Sequence, residues 1–350
     1  MSTAQQRRRK PITKRERASE LLHDSWSWVV RLTEALLSTT WRLRRYLVRR
    51  LVSSLGSVLG VVVLVFVLLH LIPGDPVDNL LGEEARPQDK AELRKCMDLD
   101  QSLPVQFGRF LKSTVDGTLG YSCPDRKTTV AARIKKVLPE TVQLAVAAML
   151  VALTLALPLG IGAALKARTR WDALLTGIAL LGISMPSMWL GPMLLYLFYV
   201  KLPWFPGPGE DAGRLSGLVL PSLMLGTHLM AMLARMTRAS LLDTLSEDYI
   251  RTARAKGLVT WKVILKHAMR NALLPVITVA GMQFGALLAG AVVTEKVFAR
   301  PGLGTLLLEA IAQRDYHTVQ GCTLVIAVMY VAVNLVVDVL YAAVDPRIRV

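Results

Sequence analysis

A polar, basic stretch from Glu247 to Pro275 interrupts an otherwise apolar chain and holds the densest set of side chains that could act on another molecule. From Arg235 to Arg270 the sequence contains eight Lys/Arg residues and three acids, which gives a net charge of +5. Such a stretch is too hydrophilic to lie in the hydrocarbon of a membrane. Its pattern predicts two short helices that meet at Gly257, a compact knob that a partner protein could grip.

Helical spacing divides the side chains of this stretch into faces. Tyr249, Ala253 and Gly257 fall on one face, which becomes smaller toward its C-terminal end, while Arg251 and Arg254 point elsewhere. After Gly257 an apolar stripe opposes a cationic one, as in a helix that lies along a membrane surface. The stripe comprises Trp261, Ile264, Leu265, Ala268 and Ala272, with Lys262, Lys266 and Arg270 opposite.

Signatures of catalysis and of metal binding are absent from the sequence. It contains no GxxxxGK[ST] phosphate loop, HExxH, GxSxG or supported Ser/His/Asp constellation. Its three cysteines form no CxxC and no Cys/His cluster at metal-ligand spacing. We therefore predict no catalytic residues, no metal site and no ATP site in this chain.

The composition indicates a membrane protein. Of 350 residues, 53% are hydrophobic and the mean hydropathy is +0.41. The formal charge of +16 lies in the N-terminal region and in short loops rather than along one surface, which argues against nucleic acid as a partner.

The first 50 residues carry a net charge of +9 and no apolar core long enough for a signal peptide, so we do not expect a cleaved leader. Apolar residues recur there at roughly helical intervals. Two interpretations stay open: an amphipathic helix against anionic lipid, or a solvated basic tail that only sets orientation.

Hydropathy predicts an all-α integral membrane protein of six transmembrane helices. Net-basic connections all fall on one side, which the positive-inside rule makes cytoplasmic together with both termini. An external subdomain then separates the first two helices, and the third is expected to kink at its prolines. The predicted spans are 51–73, 138–165, 173–200, 218–233, 272–294 and 318–344. The other predicted parts are a tail at 1–50, the external subdomain at 74–137, a transmembrane core at 138–344 with a cytoplasmic loop at 235–271, and a C-terminus at 345–350.

Cys96 and Cys123 both lie in the predicted external subdomain. An oxidising compartment permits a disulfide between them, worth on the order of 3 kcal/mol, and two free thiols are the alternative.

Polar residues within the spans are candidates for lining a path for a polar solute. The alternative is that they form hydrogen bonds between helices, which accounts for most Ser and Thr in such bundles. The candidates are Ser184, Ser187, Thr227, Thr278, Gln283 and Asn334.

The polar stretch resembles the cytoplasmic EAA-type loop of ATP-binding cassette importer permeases, specifically the B-type subunits of the dipeptide/oligopeptide/nickel group. The letters that carry the resemblance are Thr252-Ala-Arg254 followed by Ala255-Lys-Gly257, without the acidic residue of the general pattern. Further matches are Ile72-Pro-Gly-Asp-Pro76, Leu99-Asp-Gln-Ser-Leu-Pro104, Leu119-Gly-Tyr-Ser122, Ala299-Arg-Pro-Gly-Leu-Gly304 and Asp345-Pro-Arg-Ile-Arg349.

The resemblance implies the type I importer permease fold in a bacterial inner membrane. A second, homologous permease subunit, two ATPase subunits that carry ATP and Mg, and an external binding protein would complete the transporter, which would take up di- or oligopeptides. Alternatives are nickel or another small solute, or an ion-coupled carrier that needs no ATPase. The resemblance assigns ATPase coupling to Tyr249, Arg251, Thr252, Ala253, Arg254, Ala255, Lys256, Gly257 and Trp261, and an external-face motif to Pro73, Gly74, Asp75 and Pro76.

Overall fold

The computed structural model describes residues 50, 52–71, 75–82, 84–123, 128–210 and 214–344, which are almost wholly helical. The predictions for the tail at 1–49, for Pro73 and Gly74 and for the C-terminus at 345–350 concern residues outside these ranges. Among the described residues five helices are long and apolar enough to cross a membrane, and there are six if one bent pair is a single span.

The helices are numbered in chain order. Those that qualify as spans are α1 Val52–Leu71, α5 Val130–Leu165, α8 Ser216–Leu245, the continuous run of α10 Thr260–Lys262 with a π-helical turn Val263–Ala268 and α11 Met269–Gly290, and α14 Tyr316–Val344. The bent pair is α6 Arg170–Ser184 and α7 Ser187–Leu195, the latter extended by a π-helical turn Tyr196–Lys201. Shorter helices are α2 Pro76–Leu81, α3 Pro87–Cys96, α4 Leu103–Val115, α9 Asp248–Ala255, α12 Val292–Val297 and α13 Leu303–Ala312.

Helix α5 is the long axis of the fold. Its 36 residues extend about 54 Å at 1.5 Å per residue. It begins at Val130, earlier than the predicted span, and the expected interruption near Pro158 is wrong because the helix continues through it. Gly160 is needed for packing: a Cβ there would lie 2.6 Å from the carbonyl oxygen of Ala234 on α8.

Close contacts between helices give their relative directions. Gly226 packs on Ala148 and Gly160 on Ala234, so α5 and α8 run in the same direction. Gly182 packs on Thr227 while Asp172 pairs with Arg238, so α6 runs opposite to α8. Helix α11 likewise runs opposite to α14, because Gly281 packs on Val337 and Gly285, further along α11, packs on the earlier residue Tyr330. The alternation agrees with consecutive crossings of a membrane.

The third predicted span is broken rather than kinked at Pro192. Helices α6 and α7 meet at 100° where Met185 and Pro186 separate them, and Pro192 lies inside α7. Because proline disfavours helical geometry in the residue before it, Pro186 accounts for the end of α6.

Two buried carboxylates organise the connection between α11 and α14. The Glu295 side chain accepts hydrogen bonds from the Thr141 hydroxyl (2.7 Å) and from the backbone N–H of Thr305 (3.0 Å) in the first turn of α13. A Cβ on Gly302 would lie 2.0 Å from the Glu295 carboxyl carbon. Buried Arg300 pairs with Glu140 of α5. The Ala299–Gly304 motif thus fastens α12 and α13 to α5.

The second buried carboxylate, Asp315, fixes the start of α14. It accepts hydrogen bonds from the hydroxyls of Ser122 and Thr318, both at 2.6 Å, and its Oδ2 lies 3.4 Å from an Arg133 nitrogen. Beside Ser122, Cys123 is joined to Cys96 in a disulfide with a Cα–Cα distance of 5.8 Å. Full hydrogen bonding offsets the cost of burying this charge. We call this region the Val130 end of α5, and the opposite one the Leu165 end.

Candidate functional site

The candidate site is the segment from Asp248 to Ala268, named the docking segment, at the Leu165 end of α5. Helix α8 continues to Leu245, so the polar region predicted from 235 is a loop only beyond that residue. Ile250 and Ala253, one turn apart on α9, are buried in an apolar cluster with Ala164 of α5 and Leu241 of α8. Helix α9 is therefore seated on the ends of two long helices.

The end of α9 is set by Gly257. Its φ of +75° is left-handed, and its N–H donates to the Arg254 carbonyl oxygen at 2.9 Å. A Cβ at this position would meet no atom of this chain within 4 Å. The glycine is thus required by backbone conformation rather than by close packing in the chain itself.

The second half of the docking segment continues into a span. Val263, Ile264 and Ala268 are buried in the same cluster as Ile250, and the π-helical turn that contains them leads directly into α11. The residues after Gly257 that were predicted to form a separate surface helix therefore form the first turns of the fifth span. Single π turns of this kind occur frequently at functional sites.

Two hydrogen bonds lie beside the apolar cluster in which Ile250 and Ala253 are buried. The Ser240 hydroxyl of α8 donates to the Ala272 carbonyl oxygen of α11 at 2.8 Å, and this group is buried. Asn271 donates to the Tyr249 hydroxyl oxygen at 2.9 Å. The first bond thus joins α8 to α11, and the second joins the docking segment to α11.

A bidentate ion pair holds the neighbouring loop. Arg238 of α8 donates from Nε and from a terminal nitrogen to the two oxygens of Asp172, both at 2.7 Å. The same carboxylate accepts from the Arg168 backbone N–H at 2.9 Å. The α5–α6 connection is therefore fixed to α8 a short way before the docking segment.

The outward face of the docking segment combines cations with two apolar side chains. Trp261 and Leu265, one turn apart, are 60% and 59% exposed, and the Lys262 ammonium lies 5.6 Å from the Trp261 ring centroid. The single ion pair within this face, Arg251 with Asp248 at 3.3 Å, is exposed and contributes little to stability. Exposed cations on or beside the segment are Arg251, Arg254, Lys256, Lys262, Lys266 and Arg270.

The outward face has the character of a binding surface. Among the residues that the structure describes, no three His, Cys, Asp or Glu side chains come together as a metal site. An exposed aromatic anchor in a rim of cations is typical of a protein interface whose partner is acidic.

The structure separates the predicted coupling residues into two groups. Tyr249, Arg251, Thr252, Arg254, Ala255, Lys256, Gly257 and Trp261 are exposed. Ala253 is buried against its own chain. Sequence reasoning missed Ile250, which is fully buried, although its spacing of three residues from Ala253 indicated the seated face.

The candidate path residues do not form one cluster in the described structure. The hydroxyls of Ser184, Thr227 and Thr278 donate to carbonyl oxygens of their own helices at 3.0–3.1 Å. Gln283 of α11 and Asn334 of α14 fall at the same level of an antiparallel helix pair. The Ser187 side chain is not among those that the structure describes.

The external-face motif can be followed from Asp75. Its carboxylate accepts from the Val77 N–H at 2.9 Å and pairs with Arg94, which makes Asp75 the N-cap of α2, and Pro76 occupies the first position of the helix. This pairing gives the Asp-Pro dipeptide a structural role.

Comparisons with known proteins agree on one family. Residues 156–350 match the binding-protein-dependent transport system inner membrane component, and residues 43–145 match its N-terminal membrane component. The glutathione transport system permease protein GsiC of Salmonella paratyphi A is 44% identical over 305 residues, which cover 87% of this chain and 98% of the relative. GsiC of Escherichia coli K12 is 43% identical with the same coverage.

The fold is also that of a solved transporter. An inward-facing structure of the MetNI methionine ABC transporter aligns with a TM-score of 0.51 at 19% identity, over 61% of this chain and 96% of the matched chain. Permeases of this kind are transport components that do not themselves hydrolyse ATP. The chain belongs to the binding-protein-dependent ABC transporter permeases, the inner membrane components of the peptide/nickel group.

Proposed function

We propose that this chain is the B-type transmembrane subunit of an ATP-driven importer of di- and oligopeptides, and that the docking segment receives the motion of its ATPase subunits. The observation that carries the proposal is the two-sided construction of that segment. Ile250 and Val263 on its inner face are fully buried against the bundle, whereas Trp261 and Leu265 on its outer face are left for a partner.

The contacts provide a path for that motion. The docking segment lies between α8 and α11 and is continuous with the latter. The Ser240–Ala272 hydrogen bond couples these two helices at the point where the segment joins them. A partner that closed on ATP and moved the segment would displace both helices, which is how an importer switches its cavity between the two sides of the membrane.

The proposal includes the partners of the chain. An acidic groove on each of two ATP-binding subunits, which hold ATP and Mg, would receive the docking segment of one permease subunit. A second, homologous permease subunit would complete the path, and an external binding protein would deliver the solute. In this arrangement the docking segment and both termini face the cytoplasm, and residues 75–128 face outward.

Peptides are the favoured substrate class. The relatives at 43–44% identity are named for transport of glutathione, a peptide. Gln283 and Asn334 carry uncharged amides at one level of the α11–α14 pair, and amides can contact a peptide backbone without trapping it by charge. Nickel or another small solute is the alternative within the same family.

The test is uptake by the assembled transporter in proteoliposomes, with labelled glutathione, a labelled dipeptide and radioactive nickel as parallel substrates. We expect ATP-dependent accumulation of at least one peptide and no accumulation of nickel. Uptake of nickel alone would contradict the substrate class. Uptake by this chain without ATPase subunits would contradict the mechanism.

A further inference from the structure

A cavity with a mixed polar and apolar lining lies at the Val130 end of α5, at the opposite end of that helix from the docking segment. Its volume is about 240 Å³, room for roughly eight water molecules. Its walls come from the end of α1, from α4, from the beginning of α14 and from the turns that carry Cys96 and Gly120. None of the residues that line it belongs to the docking segment or to the candidate path.

A hydrogen-bonded network forms one wall of the cavity. The two ring nitrogens of His70 lie 2.7 Å from the Phe66 carbonyl oxygen and 2.8 Å from the Gln106 amide oxygen. The Gln106 amide nitrogen donates in turn to the Gln101 carbonyl oxygen at 2.8 Å. This network orients the Gln106 amide and uses one of its two N–H donors.

Gln320 lines the opposite wall. Its side chain is only 5% exposed and forms no hydrogen bond with any of the residues that the structure describes. Its amide is not fully enclosed, so it can bond to water or to a polar occupant of the cavity.

The side chains of the cavity offer more N–H donors than the Asp98 carboxylate uses. Asp98 pairs with Arg109 and also lies 4.0 Å from the His317 ring. Within the described structure Arg109 uses one of its five N–H donors on that carboxylate. Arg109, His317 and Gln320 can therefore donate to an acceptor, and guanidinium groups match a planar carboxylate with two parallel hydrogen bonds.

The frame around these donors is fixed. Cys96 in the wall is bonded to Cys123, and Gly120, with φ +83°, brings its backbone against His317. A Cβ on Gly120 would lie 3.4 Å from the His317 ring. A preorganised frame of this kind reduces the entropy that binding must overcome.

We propose that this cavity is a binding site for a small carboxylate, with Arg109 and His317 contacting the carboxylate and the Gln320 amide completing its hydrogen bonds. A free amino acid and the C-terminal end of a short peptide share this chemistry. The proposal does not depend on which solute the transporter carries, nor on the role of the docking segment.

The test uses the full chain in lipid nanodiscs and saturation-transfer NMR with five probes: acetate, glycine, glycylglycine, inorganic phosphate and glycinamide. We expect at least one of the three carboxylates to bind, and which of them binds best distinguishes a simple carboxylate, an amino acid and a peptide end. Glycinamide, which lacks the carboxylate, is expected to bind at least tenfold more weakly than glycine. Absence of carboxylate binding, or phosphate binding tighter than every carboxylate, would overturn the proposal.

Matched variants assign the binding to this cavity. Arg109→Gln and Gln320→Leu should each weaken carboxylate binding at least tenfold. The controls Arg86→Gln and Gln88→Leu, at exposed positions around the start of α3, should leave binding unchanged. Thermal unfolding of each variant without probe establishes that it is folded. Folded Arg109→Gln and Gln320→Leu variants that bind the carboxylates as tightly as the parent would place the site elsewhere and contradict the proposal.

Discussion

The two ends of α5 are held by different forces. At the Val130 end, buried Glu295 and Asp315, the ion pair of Arg300 with Glu140 and a disulfide fasten neighbouring elements to the helix. At the Leu165 end the Arg238–Asp172 ion pair and the Ser240–Ala272 hydrogen bond connect α6, α8 and α11. The docking segment itself is held mainly by apolar contacts, and its charges point outward.

This difference indicates a division between a fixed end and a movable end. Buried carboxylates with several directional partners tolerate little displacement, because each lost hydrogen bond leaves a charge without compensation. Apolar contacts are non-directional, so a seat built from them can shift without leaving a group unsatisfied. Four changes and one cross-linking measurement test this comparison, beginning with the largest expected effect.

Gly302→Ala should cause the largest loss of stability. Its Cβ would lie 2.0 Å from the Glu295 carboxyl carbon, in a region where neither backbone nor carboxylate can give way. We expect a loss of about 3 kcal/mol or more. Thermal unfolding of the purified chain measures it, with Gly108→Ala as the control because a Cβ there meets no atom within 4 Å. Equal stability of the two variants would contradict a rigid Val130 end.

Removal of the disulfide should have the next largest effect. Cys96→Ser with Cys123→Ser is expected to destabilise the residues between α1 and α5 by on the order of 3 kcal/mol. Protease sensitivity of that region measures the change. Buried Cys322 serves as the control thiol, which should be alkylated only after unfolding. Rapid alkylation of both Cys96 and Cys123 in the native, non-reduced protein would show that no disulfide forms.

Changes at Gly257 should separate function from stability. Gly257→Val has space for its side chain but a strained backbone, so we expect a loss of about 1 to 2 kcal/mol in stability together with loss of ATP-driven uptake and weaker ATPase docking. Gly257→Asn is the matched control, since asparagine tolerates a positive φ, and it should retain more uptake. If both variants transported and assembled normally, the docking segment would not be the coupling element.

Charge reversal on the outer face should have the smallest effect on the fold. Lys262→Glu with Lys266→Glu is expected to change stability by less than about 0.5 kcal/mol, because both side chains are exposed. It should weaken ATPase association, and the difference from the parent should shrink at high salt. Pull-down at two salt concentrations measures this, with Lys112→Glu on α4 as the control. Unchanged association would contradict a contribution of electrostatic complementarity to ATPase binding.

The features of the fold that depend on composition were predictable from the sequence. Hydropathy found the six apolar segments and the basic interruption between α8 and α11, because a span must be apolar whatever it packs against. The Gly257 position was also predictable, although for a different reason: the structure requires its φ, not its small size, within this chain.

Properties that depend on three-dimensional neighbours were not predictable. Helical spacing placed Ala253 on a face but could not tell whether that face was seated on α5 or open to a partner. Glu295, Asp315 and Arg300 balanced nearby charges in the sequence, as residues of an exposed loop would, and their burial depends on Thr141, Ser122 and Glu140 from distant parts of the chain.

Site-specific photocross-linking tests the central claim most directly, the claim that the outer face of the docking segment contacts an ATP-hydrolysing subunit. A benzophenone amino acid is placed at Trp261, at Leu265 or, as a control, at Trp204, which is equally exposed but lies on the α7–α8 connection. We expect cross-links to the ATPase subunit from positions 261 and 265, with a yield that changes when ATP binds, and none from position 204. Cross-linking from 204 alone, or from none of the three positions in an active transporter, would contradict it.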